Sequence, residues 1–129
     1  MHPIAIAGGV GKDSLELVGI ADPQNQGGGS AVSRGKAWVS QGGGDELMLT
    51  PAPALGFSGA AALDANGKLA GLALLKSADI SGLSDAAPAA QAVLAPVEAM
   101  RDFLKANDVT FDGAFGAKAA VVRIICVRK

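Results

Sequence analysis

Ser58 lies between two glycines in a short turn-forming segment, Gly56-Phe57-Ser58-Gly59. Glycine readily adopts positive φ angles and, because it has no Cβ, lets the backbone of a ligand approach closely. A turn built this way can expose the serine hydroxyl while its backbone N–H groups point to one spot and bind a developing oxyanion. The segment therefore indicates a candidate nucleophile for acyl transfer. The same composition is also ordinary turn chemistry, and both interpretations stay open at this point.

The other side chains that could do chemistry are few. The chain has one histidine, His2, and one cysteine, Cys126, which excludes a disulfide framework, a zinc site and a Cys–His catalytic pair. We expect His2 to be a terminal residue outside the domain and Cys126 to be a small hydrophobic residue of a strand. We therefore expect no metal and no cofactor.

Length and composition bound the remaining classes. The 129 residues are one domain's worth of sequence, half of them apolar and 18% charged, with a formal net charge of −1. This composition is typical of a globular protein. We expect no nucleic-acid partner, because the net charge is close to zero, and no membrane partner, because the apolar runs are too short to span a membrane. The first residues carry no secretory signal, so we expect either a cytoplasmic protein or a fragment of a longer one. The missing catalytic residues favour the fragment.

Apolar runs punctuated by glycine predict β structure over the first three quarters of the chain. A hairpin is expected at Asn66-Gly67, because the pair separates two apolar runs and both residues accept positive φ angles. Pro51 and Pro53 lack an N–H group and end the strand before them. The predicted strands cover residues 14–20, 31–41, 46–50, 60–65, 68–75 and 91–95, and residues 77–90 are expected to be a loop.

The hydrophobic pattern changes to helical spacing over residues 96–107, which predicts a short helix packed by its apolar side. Pro96 suits the first turn and Asn107 the end. Residues 119–129 then form a second β-prone run, which cannot stand alone in water. We predict an extra β-strand there, joined by a linker at residues 108–118, that fills an open sheet edge or exchanges with a neighbouring copy to form a homodimer. The barrel domain is then residues 1–107.

The order of these elements resembles the second, C-terminal β-barrel of chymotrypsin-like (trypsin-fold) serine proteases, and most closely the bacterial HtrA/Deg-type branch. The resemblance covers roughly residues 14–106. It rests on the Gly56-Phe57-Ser58-Gly59 turn, the apolar strand after it, a short turn, and a second apolar strand containing Gly71. Residues 93–101 are similar to the last strand and helix of that branch. The resemblance implies an all-β fold, a six-stranded antiparallel Greek-key barrel with a short C-terminal helix and a trailing β-strand.

The resemblance also implies roles for particular residues. Ser58 aligns with the nucleophile, and the backbone N–H groups of Gly56 and Ser58 align with the oxyanion hole. Ala52 falls at the base of the primary specificity pocket, which implies an uncharged pocket. A peptide or protein substrate would be hydrolysed after lying as an added strand along Leu72, Ala73, Leu74 and Leu75. The parent protein would be periplasmic or secreted.

Several residues depart from the family pattern. The general-base histidine and its orienting aspartate come from the first barrel in this family, whereas the single histidine here is His2. Ala60 and Ala61 stand where Gly and Pro or Ala are usual, and a positive φ at position 60 would strain an alanine. We therefore expect this chain alone to be inactive unless an N-terminal protease barrel supplies His and Asp. The alternative is a non-catalytic module that binds peptides or partners and self-associates through its C-terminal strand.

Overall fold

Strands make up most of the structure. The computed structural model describes residues 4–22, 31–76 and 90–110. Its elements in chain order are β1 (Leu15–Ile20), β2 (Val32–Gln41), β3 (Leu47–Thr50), β4 (Ala61–Leu63), β5 (Leu69–Lys76), β6 (Gln91–Pro96) and α1 (Val97–Ala106). The predicted strands and the predicted helix are confirmed to within two residues at each end. The expected loop at 77–90 lies almost wholly outside the described residues, and the expected strand at 119–129 lies wholly outside them.

The six strands close into one antiparallel barrel. Their order around the barrel is β1-β2-β3-β6-β5-β4, and β4 pairs back with β1. The pairs that are not consecutive in sequence, β3 with β6 and β1 with β4, are the crossings of a Greek-key arrangement. Closure leaves short strands such as the three-residue β4 paired on both sides. The all-β barrel with a short C-terminal helix is therefore confirmed.

Small side chains fill much of the barrel interior. Five alanines of the main core cluster are completely buried, namely Ala37, Ala62, Ala70, Ala73 and Ala92. Leucines from β1, β3 and β6 belong to the same cluster, together with Ala7, Phe57 and Ala60. Because a methyl group buries little apolar area, this core depends on close approach of the strands more than on large side chains. At Gly71, for example, an added Cβ would lie 2.6 Å from the Ala95 carbonyl oxygen.

The hairpin predicted at Asn66-Gly67 is present between β4 and β5, but its turn differs from the one expected. Only Gly67 has a positive φ, of 74°, and its N–H donates to the Asp64 carbonyl at 3.0 Å. This is a type I turn followed by a glycine bulge, not a turn with two positive φ angles. The Asp64 carboxylate accepts the backbone N–H groups of Asn66 and Lys68, each at 2.9 Å. Every one of these contacts is local to the turn.

The helix α1 ends in a hydrogen-bonded reversal. The Asp108 N–H donates to the Lys105 carbonyl at 3.2 Å, and the Val109 N–H donates to the Leu104 carbonyl at 2.9 Å. Asp108 has a φ of 54°, so the pattern is a Schellman motif with aspartate where glycine is usual. Asn107 is the C-cap, as its position in the sequence predicted. Among the residues that the structure describes, no helix has the length and hydropathy to cross a membrane.

An N-terminal arm, residues 4–9, extends the barrel at the start of β5. Leu69 donates its N–H to the Ala5 carbonyl at 2.8 Å and accepts the Ala7 N–H at 2.9 Å, which makes a parallel bridge. The guanidinium of Arg101 donates to the carbonyls of Ala7 and Gly8. The arm is therefore held between β5 and α1. No local sequence pattern had predicted it.

Candidate functional site

The segment before β4 folds as two consecutive β-turns. The Phe57 N–H donates to the Ala54 carbonyl at 3.2 Å, and the Ala60 N–H donates to the Phe57 carbonyl at 2.9 Å. Gly56 (φ 91°) and Gly59 (φ 86°) occupy the third position of the two turns, where a type II turn needs a positive φ. We call residues 54–60 the serine turn. Its two glycines are required by backbone conformation, as the sequence indicated.

Ser58 is the second residue of the second turn and is exposed to solvent. Within residues 4–22, 31–76 and 90–110, neither its hydroxyl nor the backbone N–H groups of Gly56 and Ser58 have a hydrogen-bond partner. A hydroxyl and two N–H donors are thus available to a ligand at one turn. The sequence has no charged residue between Glu46 and Asp64, and its single histidine lies outside the described residues. Without a base the hydroxyl stays protonated and is a poor nucleophile.

The serine turn is anchored to the chain just after β1. The Asp22 N–H donates to the Leu55 carbonyl at 3.1 Å. At Gly56 the approach is so close that an added Cβ would lie 2.5 Å from the Asp22 backbone nitrogen. The Phe57 side chain is only 6% exposed and belongs to the main core cluster. These contacts hold the backbone of the turn in place while the serine faces solvent.

The strain considered for an alanine at position 60 is absent. The positive φ falls on Gly59, and Asp108 is the only non-glycine residue with a positive φ in the part of the chain described here. Ala60 is buried, at 4% exposure, and packs next to Gly19 of β1. An added Cβ at Gly19 would lie 2.8 Å from the Ala60 Cβ, so the missing side chain at Gly19 makes room for the alanine methyl.

β5 runs directly beside the serine turn. The Gly59 N–H donates to the Ala73 carbonyl at 2.7 Å, and the Ala73 N–H donates to the Ala60 carbonyl at 2.9 Å. Regular pairing of β4 with β5 then starts at Ala61 and Leu72. The serine turn is therefore joined by backbone hydrogen bonds to the middle of β5.

β5 continues past this junction for residues 74–76, which we call the β5 overhang. The overhang pairs with β6 on one side. Because backbone groups of successive residues point to opposite sides of a strand, the N–H and C=O of Leu75 project to the same side as those of Ala73. No partner for them lies on that side within the residues described. At the end of the overhang, the Lys76 ammonium lies 2.7 Å from the Glu46 carboxylate.

The residues predicted to bind substrate differ in their surroundings. Leu72 and Ala73 are flanked by backbone on both sides, whereas Leu74 and Leu75 extend past the serine turn. The side chain of Leu74 is 41% exposed, while Leu75 is half-buried against the core cluster. Ala52 is half-buried against the same cluster.

Leu55 is a feature of the site that sequence reasoning missed. Its side chain is 72% exposed, although its carbonyl is fixed by the Asp22 N–H. Leu55 lies in the serine turn, three residues before Ser58, and Leu74 follows Ala73, which is bonded to Gly59. An exposed leucine is thus present on the serine turn and on the strand joined to it. The sequence around Leu55 does not distinguish an exposed leucine from a buried one, because exposure is set by contacts between segments that are far apart in the chain.

The far end of β4 holds a different feature. A cavity of about 170 Å³ there is lined by residues 9–15 in part and by the Asp64–Asn66 turn. The carboxylate of Asp64 is already bonded to two backbone N–H groups. Within the described chain, no group of three or more His, Cys, Asp or Glu side chains could hold a metal ion.

Comparison with known proteins adds no assignment to this geometry. No protein-family model matches the chain, and neither the curated proteins nor the solved structures contain a match to it.

Proposed function

We propose that this barrel is the nucleophile-bearing half of a trypsin-like serine endopeptidase of the bacterial HtrA/Deg-like kind. Ser58 is the nucleophile, and an N-terminal protease barrel supplies the histidine and aspartate that this chain lacks. The observation that carries the proposal is the exposed Ser58 hydroxyl on a double glycine turn of a closed six-stranded barrel, beside a strand whose Leu75 backbone groups have no partner among the described residues. This chain alone is inactive.

In the proposed reaction, the supplied histidine accepts the hydroxyl proton as the Ser58 oxygen attacks the scissile carbonyl carbon. The carbonyl oxygen becomes an oxyanion, which the N–H groups of Gly56 and Ser58 stabilise. The histidine then gives the proton to the leaving amine nitrogen, the C–N bond breaks, and an acyl ester remains on Ser58. Water hydrolyses this ester by the same proton transfers, which restores the hydroxyl.

The β5 overhang supports an extended peptide as the substrate. A peptide that adds as a strand at this edge would bond the free N–H and C=O of Leu75. Its scissile bond would then lie near the serine turn, because Ala73, two residues earlier, is bonded to Gly59 and Ala60. Ala52 lines an uncharged primary pocket, which disfavours lysine and arginine side chains there.

The proposal includes the organisation of the chain and its location. Residues 1–107 form the barrel with its closing helix, residues 108–118 a linker and residues 119–129 an extra strand. The resemblance supports a periplasmic or secreted parent protein. The hydroxyl chemistry needs no cofactor.

A fluorophosphonate probe tests the proposal on the protein translated from the complete gene. We expect covalent labelling at Ser58 that is lost in Ser58→Ala and kept in Ser40→Ala, a matched change at an exposed strand serine. The 129-residue chain alone should not be labelled, since it lacks the base. Labelling that survives in Ser58→Ala, or no labelling of the complete protein, would refute the proposal.

The second candidate is a non-catalytic module that binds peptides and self-associates through its C-terminal strand. The single histidine of the sequence, His2, favours it, because no triad can be assembled within this chain. Titration of the ¹⁵N-labelled chain with acetyl-Ala-Ala-Leu-Ala-Ala-amide separates the two candidates. Shifts of the residue 55–59 and 74–76 amides, with intact peptide by mass spectrometry in the complete protein, support binding without turnover.

A further inference from the structure

We infer that the β5 overhang is the acceptor for the C-terminal strand, residues 119–127, of a second copy of this chain. This inference rests on the proposed peptide-binding edge, and it names an occupant and a form of regulation for that edge. The bound strand lies where a substrate peptide would lie, so each copy would block the other. The outcome is a dimer that is closed to substrates.

The first support is the unpaired backbone of the overhang. The N–H and C=O of Leu75 project to the side of the serine turn, where no described residue bonds them. Such groups on an edge are a template for pairing with another strand. The neighbouring Ala73 cannot take part, because its N–H and C=O are bonded to Ala60 and Gly59.

The second support is the match in chemistry between the edge and the proposed occupant. Residues 119–127 contain one charged side chain, Arg123, and are otherwise apolar with many β-branched residues. On the edge itself Leu74 is 41% exposed, Leu55 of the serine turn is 72% exposed, and residues 47–63 carry no charge. Lys76 at the end of the overhang is neutralised by Glu46. An apolar strand paired at this edge buries Leu74 without burying an unpaired charge.

Another edge of the described barrel fits this occupant poorly. β2 pairs with β3 only through residues 38–41, so residues 32–37 have no strand on that side within the described chain. That half of β2 exposes Lys36 and the ion pair of Arg34 with Glu16, at 2.9 Å, and charged side chains protect an edge against pairing. The proposed C-terminal strand is followed by Arg128 and Lys129, which would add like-charge repulsion with Lys36.

Geometry favours a second copy over the same chain as the donor. Arg101 of α1 contacts the arm beside Leu69, at the start of β5, whereas the overhang is at the other end. The seven residues from Leu69 to Lys76 span about 23 Å of strand. From Thr110 to residue 119 the chain reaches about 30 Å at most, and only when fully extended. Pairing within one chain would therefore need a largely extended linker, whereas a second copy can approach the overhang from outside, and the exchange closes with two-fold symmetry.

The native single cysteine provides the test. A nitroxide is attached to Cys126 of an unlabelled chain, which is mixed with ¹⁵N-labelled Cys126→Ala chain. We expect a concentration-dependent dimer in which the amides of residues 55–59 and 74–76 of the ¹⁵N copy are broadened. Broadening that falls instead on residues 32–37 or on α1 would overturn the inference, as would a chain that stays monomeric. Neither of those outcomes bears on the Ser58 proposal, which the fluorophosphonate experiment tests separately. Failure of this inference can therefore be distinguished from failure of the proposed function.

Two pairs of variants keep the test independent of the spin label. Ile124→Pro interrupts the donor strand, and Ala114→Pro is its control in the linker. On the acceptor side, Leu74→Asp places a charge at the edge, and Ala99→Asp is its control on the exposed face of α1. We expect Ile124→Pro and Leu74→Asp to raise the dimer dissociation constant about tenfold or more, and both controls to leave it unchanged. Equal effects of a variant and its control would contradict the inference.

Discussion

Two glycine turns flank β4, and they use their polar groups in opposite ways. In the turn from Asp64 to Lys68, the aspartate carboxylate accepts two N–H groups and the Gly67 N–H is bonded as well. In the serine turn, the Ser58 hydroxyl and two N–H groups have no partner among the described residues. In the turn from Asp64 to Lys68, these N–H donors form hydrogen bonds that hold the hairpin. In the serine turn, the hydroxyl and these two N–H groups are open to water, and therefore to a ligand that can replace water.

The two turns also differ in what fixes their backbone. Gly67 has open space where a Cβ would be, so only its φ requires glycine. Gly56 has the positive φ and in addition lies against backbone atoms of residues 20–22. The serine turn is closed by two backbone hydrogen bonds of its own, and the packing of Gly56 on residues 20–22 adds a second constraint that the Asp64–Lys68 turn lacks. Packing of this kind fixes the backbone around Ser58 without occupying its free polar groups.

The largest expected difference between the turns lies at these two glycines. Gly56→Ala should lower the free energy of unfolding by about 3 kcal/mol, because strain at positive φ adds to overlap with the Asp22 nitrogen and the Ile20 carbonyl. Gly67→Ala, with strain alone, should cost about 1 kcal/mol. Urea denaturation monitored by circular dichroism measures both. Equal losses for the two variants would show that the close approach at Gly56 contributes nothing.

A second prediction concerns the packing under the serine turn. Gly19→Ala should destabilise the barrel by about 2 kcal/mol, since the new Cβ meets the Ala60 Cβ and the Phe57 ring. The double variant Gly19→Ala/Ala60→Gly should be more stable than the sum of the two single changes predicts, because removing one methyl makes room for the other. Strict additivity in thermal or urea unfolding would contradict the contact.

The third prediction concerns the turn from Asp64 to Lys68, whose polar groups are hydrogen-bonded. Asp64→Ala removes the acceptor of the Asn66 and Lys68 N–H groups and should cost about 1 kcal/mol of unfolding free energy. Asp64→Asn keeps one acceptor oxygen and should cost less. Hydrogen exchange of the Asn66 and Lys68 amides should accelerate in Asp64→Ala. Unchanged exchange would mean that these bonds do not hold the turn.

The smallest expected effect is at the serine itself. Ser58→Ala should change the unfolding free energy by no more than about 0.5 kcal/mol, because the exposed hydroxyl bonds nothing in the described chain. A loss of 1 kcal/mol or more would mean that the hydroxyl has a structural partner. Comparing the loss of unfolding free energy in Ser58→Ala with that in Asp64→Ala therefore measures most directly how the two turns differ.

Local signals in the sequence were sufficient for most of the architecture. The Asn66-Gly67 pair between apolar runs predicted the β4–β5 hairpin, and helical spacing with Pro96 and Asn107 predicted α1. These features depend on neighbours within a few residues, which a sequence displays directly. Even so, the turn type was wrong, because the Asp64 carboxylate selects a type I turn with a bulge and the dipeptide alone does not reveal this.

The features that were missed all join residues far apart in the chain. Gly19 makes room for the Ala60 methyl group, the arm at residues 4–9 bridges to Leu69, and the Leu55 carbonyl accepts the Asp22 N–H. None of these has a periodic pattern or a turn motif. For the candidate site, the sequence could indicate the serine and its glycines, but not the segments that hold them or the leucines around them.

The contact between Arg101 and the N-terminal arm has a consequence for variation. The guanidinium binds the carbonyls of Ala7 and Gly8, which every amino acid possesses, and no side chain of the arm takes part in those bonds. The exposed residue at position 8 can therefore change without loosening these two bonds, whereas loss of the Arg101 guanidinium removes both and leaves the arm held by its backbone bonds to Leu69 and by the buried Ala7. The guanidinium on the closing helix thus recognises the path of the arm's backbone and not the identity of the residue at position 8.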